Sequence, residues 1–321
     1  VTTAAPNTPA SGRLAPGSRP DRGRPGRGRT GGGRTGGGRA SGGSSRIAAE
    51  GTATHPVAII PAALVSLGAV LQFWVMTDWG YVPLILGVIG GVLTDRAGRS
   101  SKLGQDLAII AIALTWISMI SLHADISNAG ILRFTIALGG AVLIPYAISR
   151  WVYRDHAVRF PWKGGRWTRQ MWTYLIVVVF AAYLILPFYF LTSGVYRNWP
   201  PVADWDMIGR LFMGVNAVGL WDELFFICTV YTLLLRHFRP WLANLLQAAI
   251  FVSFLWELGY QSWGPLLTIP FALVQGAIFT GTKNLFYVVT VHLLFDAVVF
   301  LVIVHAHHQE ALPIFPLVNG F

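Results

Sequence analysis

One cysteine, Cys228, is the chain's whole complement, and it lies inside an apolar run, which excludes a disulfide framework and any Cys-based metal or redox centre. Charge is scarce as well. Only 12% of the 321 residues are charged while 54% are hydrophobic, a balance that excludes an ordinary water-soluble domain. β-Alternation is also missing from the apolar stretches, which run for about 15 to 29 residues and carry Gly and Pro inside them. They read as membrane-spanning helices. The expected fold class is therefore all-α, a polytopic transmembrane helix bundle of about eight or nine spans.

Aromatic residues are absent from the first 56 positions, where nine Arg face only Asp21 and Glu50 and account for +7 of the net +10 charge. With no periodicity and a short Arg-Thr-Gly-Gly-Gly repeat from Arg29 to Arg39, residues 1–56 are expected to be a disordered basic arm. Nothing there interleaves with arginine to stack on bases, so no specific nucleic-acid partner is expected; membrane lipids are. The first apolar residues arrive only near Val57, too late for a cleaved secretory signal.

Nine candidate spans follow: Val57–Met76, Tyr81–Leu93, Leu107–Leu122, Ala129–Ile148, Met171–Leu191, Met207–Leu235, Trp241–Leu258, Pro265–Thr280 and Asn284–Val304. The second is short for a bilayer and is re-entrant, extended through Gly80, or buried among neighbours. Three regions result: the arm 1–56, the first spans with a basic interfacial loop 57–170, and a core 171–321. Basic residues then fall on alternate loops. Arg96, Arg99 and Lys102, the set from Arg150 to Arg169, Arg236 with Arg239, and Lys283 share the side of the arm, while the opposite loops hold little but Arg197. By the positive-inside rule this implies a cytoplasmic N-terminus, an external C-terminus and a multi-pass protein of the cell membrane. The segment Phe160 to Trp172, with three Trp among basic residues, is either an interfacial anchor or an ordinary cytoplasmic loop.

Against this background the acidic pair Asp222–Glu223, in the middle of the sixth span, needs an explanation. Carboxylates at mid-bilayer depth cost several kcal/mol unless paired, protonated, metal-bound or facing a cavity, roughly 3 kcal/mol each on insertion scales. Measured from the cytoplasmic ends, Glu223 lies about 20 Å deep, Asp296 about 18 Å and Leu255 about 22 Å. Three helices thus bring their notable positions to one layer. His292 and Asp296, four apart, share a helix face.

The run Trp221-Asp222-Glu223-Leu224-Phe225-Phe226-Ile227 resembles the Glu-Glu-x-x-x-Arg motif of the CPBP family, the type II CAAX prenyl endopeptidases and bacteriocin-processing intramembrane proteases. His292-Leu293-Leu294-Phe295-Asp296 is similar to the family's His-x-x-x-Asn/Asp motif. Between them Phe251 stands where the Phe-x-x-x-His motif begins, with Leu255 in place of its His. The resemblance covers roughly Met171 to His305. It implies that Asp222 occupies the place of the water-activating Glu, Glu223 that of its partner, and that His292 and Asp296 orient water, stabilise the oxyanion or bind a metal. Two of the three motifs depart from the pattern. Asp222 is one methylene short, Ile227 replaces the neutralising Arg, and Leu255 replaces a His expected to act in catalysis.

Glu223, His292, Asp296 and Glu257 would make an oxygen-rich set suited to a divalent cation such as zinc, with Glu257 replacing the absent His. Helix geometry opposes that substitution, because two residues beyond Leu255 is a rotation of about 200°, and Glu257 otherwise caps a helix end or lines an outer vestibule. Arg210 either snorkels or binds a substrate carboxylate. Gln275 and Asn244 read as interhelical hydrogen-bond partners, and His305, His307 and His308 as a solvated helix end rather than a surface metal site. Three readings remain open: an intramembrane endopeptidase acting on a peptide or lipidated protein tail, a catalytically impaired relative that binds such partners, and a cation-coupled transporter.

Overall fold

The computed structural model describes residues 55–162, 164–202, 204–308 and 314–318; the basic arm, expected over 1–56, lies almost wholly outside them. The described residues are helical, with no strand among them. Nine helices longer than two turns follow one another among the described residues: α1 (Pro56–Trp74), α2 (Tyr81–Arg96), α3 (Leu103–Ser118), α4 (Asn128–Val152), α5 (Arg169–Ser193), α6 (Trp205–Leu235), α7 (Pro240–Leu258), α8 (Pro265–Thr282) and α9 (Leu285–His307). Seven are long and apolar enough to cross a membrane, and α2 and α3, at 16 residues each, are shorter.

Local chemistry sets the boundaries. Side-chain caps begin four of the long helices: Ser127 accepts from the N–H of Gly130, Thr168 from Met171, Asp204 from Met207 and Asn284 from Tyr287, each satisfying an amide the helix leaves unpaired. Glycine ends α5 and α7, at Gly194 (φ 71°) and Gly259 (φ 129°), conformations that cost other residues a steric penalty. Helix α3 starts one turn before the sequence places it. Its first amides, on Leu103 and Gly104, donate to the two carboxylate oxygens of Asp95 at 3.1 and 2.8 Å, a cap supplied from the end of α2.

Two packed groups meet at α6. Helices α1 to α4, α7 and the second half of α6 share one apolar core, built around Phe225, Phe226, Phe251 and Phe254. Helix α5, the second half of α9 and the segment from Val195 to Val202 share another. Helix α9 packs on both α5 and α6, so residues on its middle turns face the seam between the groups. Outward residues such as Ile85, Leu132, Leu143, Ile176 and Phe180 are exposed, the pattern of a lipid-facing surface.

On the side of the basic loops a buried ion network ties the elements together. Asp106 of α3, 1% exposed, accepts from Arg236 at 2.8 Å and lies 2.6 Å from His237 Nε2, and Arg236 reaches Asp155 at 3.0 Å. At the other end of the bundle His305 is fully buried against Phe315 rather than solvated, while His307 and His308 meet the carbonyls of Ile303 and Val202. The tail 314–318 folds back over α5, where Tyr183 donates to the Ile314 carbonyl, and this covers His305.

Candidate functional site

Asp222 and Glu223 sit where the backbone of α6 changes character. From Glu223 to Tyr231 the helix is π-helical, a wider winding that is uncommon and concentrates at functional sites. Successive residues of a regular α-helix point about 100° apart. With the wider turn opening at Glu223, the two neighbouring carboxylates reach opposite nitrogens of one imidazole. Trp221 fixes this stretch by donating to the Leu138 carbonyl at 2.7 Å and stacking on Phe225.

His292 of α9 is the centre of the cluster. Its Nδ1 lies 2.6 Å from Glu223 Oε1, and its Nε2 lies 3.6 Å from Asp222 Oδ2 and 3.8 Å from Asp296 Oδ1. The same Glu223 oxygen accepts from Gln275 Nε2 at 2.7 Å, so that oxygen serves as acceptor and His292 Nδ1 carries the donated hydrogen. All four ionisable groups are at most 5% exposed. In so apolar a surrounding they persist only because they partner one another.

Their accessibility differs in a way that separates their roles. Asp222, His292 and Asp296 line a cavity of about 470 Å³, whereas Glu223 stands behind His292 and does not. The cavity walls are otherwise mostly apolar, from α4, α5, α6, α7 and α8, and Leu255 and Phe271 are among them. Its far end reaches Ala124, Ile126, Trp199, Arg210 and Tyr260, all at the end of the bundle away from the basic loops. Gly219 makes the site possible. The Asp296 carboxylate lies directly over it, where any Cβ would collide, and His292 Cδ2 would be only 3.2 Å from that Cβ.

Leu255 is in the cavity wall, at the position where the resembled motif carries His, and offers neither donor nor ligand. Glu257 does not line the cavity. It projects from another face of α7, as the 200° rotation requires, and its carboxylate accepts the backbone N–H of Leu122. Ile227 is fully buried one turn beyond Glu223 and offers it no hydrogen bond, whereas Gln275 donates to Glu223 at 2.7 Å. Arg210 pairs with Asp206 at 2.7 Å and Asn128 at 2.6 Å at the cavity mouth. Asn244 joins α7 to α8 through the Leu273 carbonyl at 2.7 Å.

Gln275 and Gly219 are the members that sequence reasoning did not assign to the site. A lone amide in a span signals an interhelical bond, which Gln275 makes, but not that its partner is the site carboxylate. A helical glycine carries no signal of what lies above it. Among the described residues no group of three or more His, Cys, Asp or Glu side chains is arranged to hold a metal ion.

Residues 204–298 match the family described as type II CAAX prenyl endopeptidase Rce1-like. The match runs from the N-cap of α6 to the middle of α9 and contains every residue of the cluster. No curated protein and no solved structure matches the chain.

Proposed function

We propose, from this family match and the site's geometry, that the protein is an intramembrane endopeptidase of the CAAX type, cutting a peptide or lipidated protein tail by carboxylate-activated water. The observation that carries the reading is a mostly apolar cavity, of a size usual for ligand sites, that ends on Asp222, His292 and Asp296. Asp222, one of the two carboxylates that line that space, is assigned the proton of the attacking water. As the water oxygen bonds to the scissile carbonyl carbon, His292, held through Nδ1 by Glu223 and protonated at Nε2 as well, directs its Nε2–H between Asp222 and Asp296 to orient the water and then donates it to the oxyanion. Collapse breaks the C–N bond, and the proton held by Asp222 passes to the leaving amine.

The four cluster residues are the assigned site; Glu257 is left out of it. Among the described residues no three such side chains are arranged to hold a metal ion, and Asp222, His292 and Asp296 carry each step themselves. The cavity's far end argues for a tail that enters from the membrane face opposite the basic loops, which is the external face if the arm is cytoplasmic. The protein in detergent, given prenylated and unprenylated CAAX-type peptides and a leader-type peptide, should cleave at least one slowly. A chelator should leave the rate unchanged; loss of activity with chelator would assign a metal to the cluster.

Leu255 and Ile227 favour a second reading, a pseudoprotease that binds a tail in the same cavity without cutting it. Peptide binding at wild-type affinity with no product, even in a Leu255→His variant, would select it.

A further inference from the structure

The turn after α4 builds a basic cleft on the surface. It is lined by Tyr146, Arg150, His156, Arg159, Phe160 and Trp162, together with Val158, and no carboxylate is among its lining residues. The one acid of the turn, Asp155, points inward to Arg236, Lys102 and Ser149, which leaves the cleft with bases alone. The basic groups are moreover held against one another. Arg150 Nη1 lies 2.5 Å from His156 Nδ1, and Arg159 Nε donates to the His156 carbonyl at 2.7 Å.

The backbone is shaped to achieve this. Residues Ile148–Val152 wind as a π-helical turn, and Arg154 and His156 adopt left-handed conformations (φ 53° and 52°) that non-glycine residues rarely take and that concentrate at functional sites. The amides of Ala157 and Val158 both donate to the Ser149 hydroxyl, zipping the turn closed. Tyr146 stacks on Phe160 and meets Trp151 edge-on, making an aromatic wall. Trp151 and Trp162 are 67% and 48% exposed, and Leu143, one turn deeper on α4, is 65% exposed. Exposed Trp above exposed aliphatic side chains is the arrangement found at a headgroup layer.

We propose that this cleft is a binding site for an anionic phospholipid of the adjoining leaflet, its phosphate held by Arg150 and Arg159 and its acyl chains laid along the exposed face of α4. Arginine recognises phosphate through paired N–H donors, and a cleft with two guanidiniums and no acid offers the charge such a headgroup lacks. The lipid source is favoured over a soluble phosphate because the cleft opens between exposed Trp residues and an apolar helix face.

The test uses the full chain in nanodiscs of phosphatidylcholine doped with phosphatidylglycerol, with co-purifying lipid counted by native mass spectrometry after release into detergent. The wild type should retain phosphatidylglycerol selectively. Arg150→Gln and Arg159→Gln should each lower that selectivity about fivefold, the effect of roughly 1 kcal/mol per basic residue, while Arg99→Gln and Arg166→Gln, exposed on the same side but outside the cleft, should not. Equal losses from all four variants would show a diffuse basic belt and overturn the site. Displacement of the lipid by inorganic phosphate would overturn the lipid assignment. A thermal melt of each variant separates loss of the site from loss of the fold.

Discussion

At the scale of single residues, Glu223 and His292 are the pair on which the cluster's geometry depends. Glu223→Gln or His292→Ala should abolish turnover in a peptide-cleavage assay, while a thermal melt should remain cooperative. Gln275 is a neutral donor to the same Glu223 oxygen that His292 meets. Gln275→Leu removes one of the two donors to Glu223, and the loss of a hydrogen bond to a buried charged group is worth about 1.5–3 kcal/mol. Turnover should fall about tenfold or more, and Ile227→Arg should recover part of it in the Gln275→Leu background while destabilising the otherwise unchanged protein. Unchanged turnover in Gln275→Leu would remove Gln275 from the site. Gly219→Ala pushes a methyl group into the Asp296 carboxylate; overpacking of this kind costs about 1–3 kcal/mol, and activity should fall further than stability alone explains.

Individual elements show what could be read from the chain and what could not. The nine apolar segments correspond to the nine helices, because apolar length and helix caps are local. The start of α3 was not legible, since its cap is Asp95, eight residues before it. Neither was the π-helical stretch of α6, since no residue pattern from Glu223 to Tyr231 distinguishes it from a regular apolar helix. The spacing of His292 and Asp296 placed both on one face, but only the fold put Glu223 behind that face and Asp222 in the cavity. The loop after α4 carries its own pH dependence. Burial raises the Asp155 carboxyl, but the Ala157 amide, the Arg236 guanidinium and Ser149 outweigh it and hold the group below its usual value of 3.8. A lowered folded pKa contributes stability above the unfolded pKa and loses it as pH falls through the folded value. Melting temperature should therefore drop on acidification below about pH 4, and Asp155→Asn should lower it at neutral pH while flattening that acid limb.

For the whole molecule, the alternation of basic loops predicts which membrane face each end of the bundle meets. Cys228 is fully buried, so a single added thiol reports cleanly. Ser101→Cys, in the exposed turn between α2 and α3, should react with an impermeant maleimide only from the cytoplasmic face, and Ser121→Cys, after α3, only from outside. The reverse pattern would refute the orientation and, with it, the external approach to the cavity, and labelling of both from one face would show that α3 does not cross. The central claim concerns what the cavity does to a bound tail. On the proposed reading, a His at the position of Leu255 would supply transition-state stabilisation, and removal of one such donor costs about 2.7–4 kcal/mol, so the present chain should be slow by roughly two to three powers of ten. The direct measurement is the single-turnover cleavage rate of a CAAX-type peptide by the wild type, Leu255→His and Leu255→His/Glu223→Gln proteins. The account predicts slow cleavage, a rise of ten- to several-hundred-fold with the added imidazole, and its complete loss with Glu223→Gln. Cleavage that ignores Glu223, or none from Leu255→His, would contradict it.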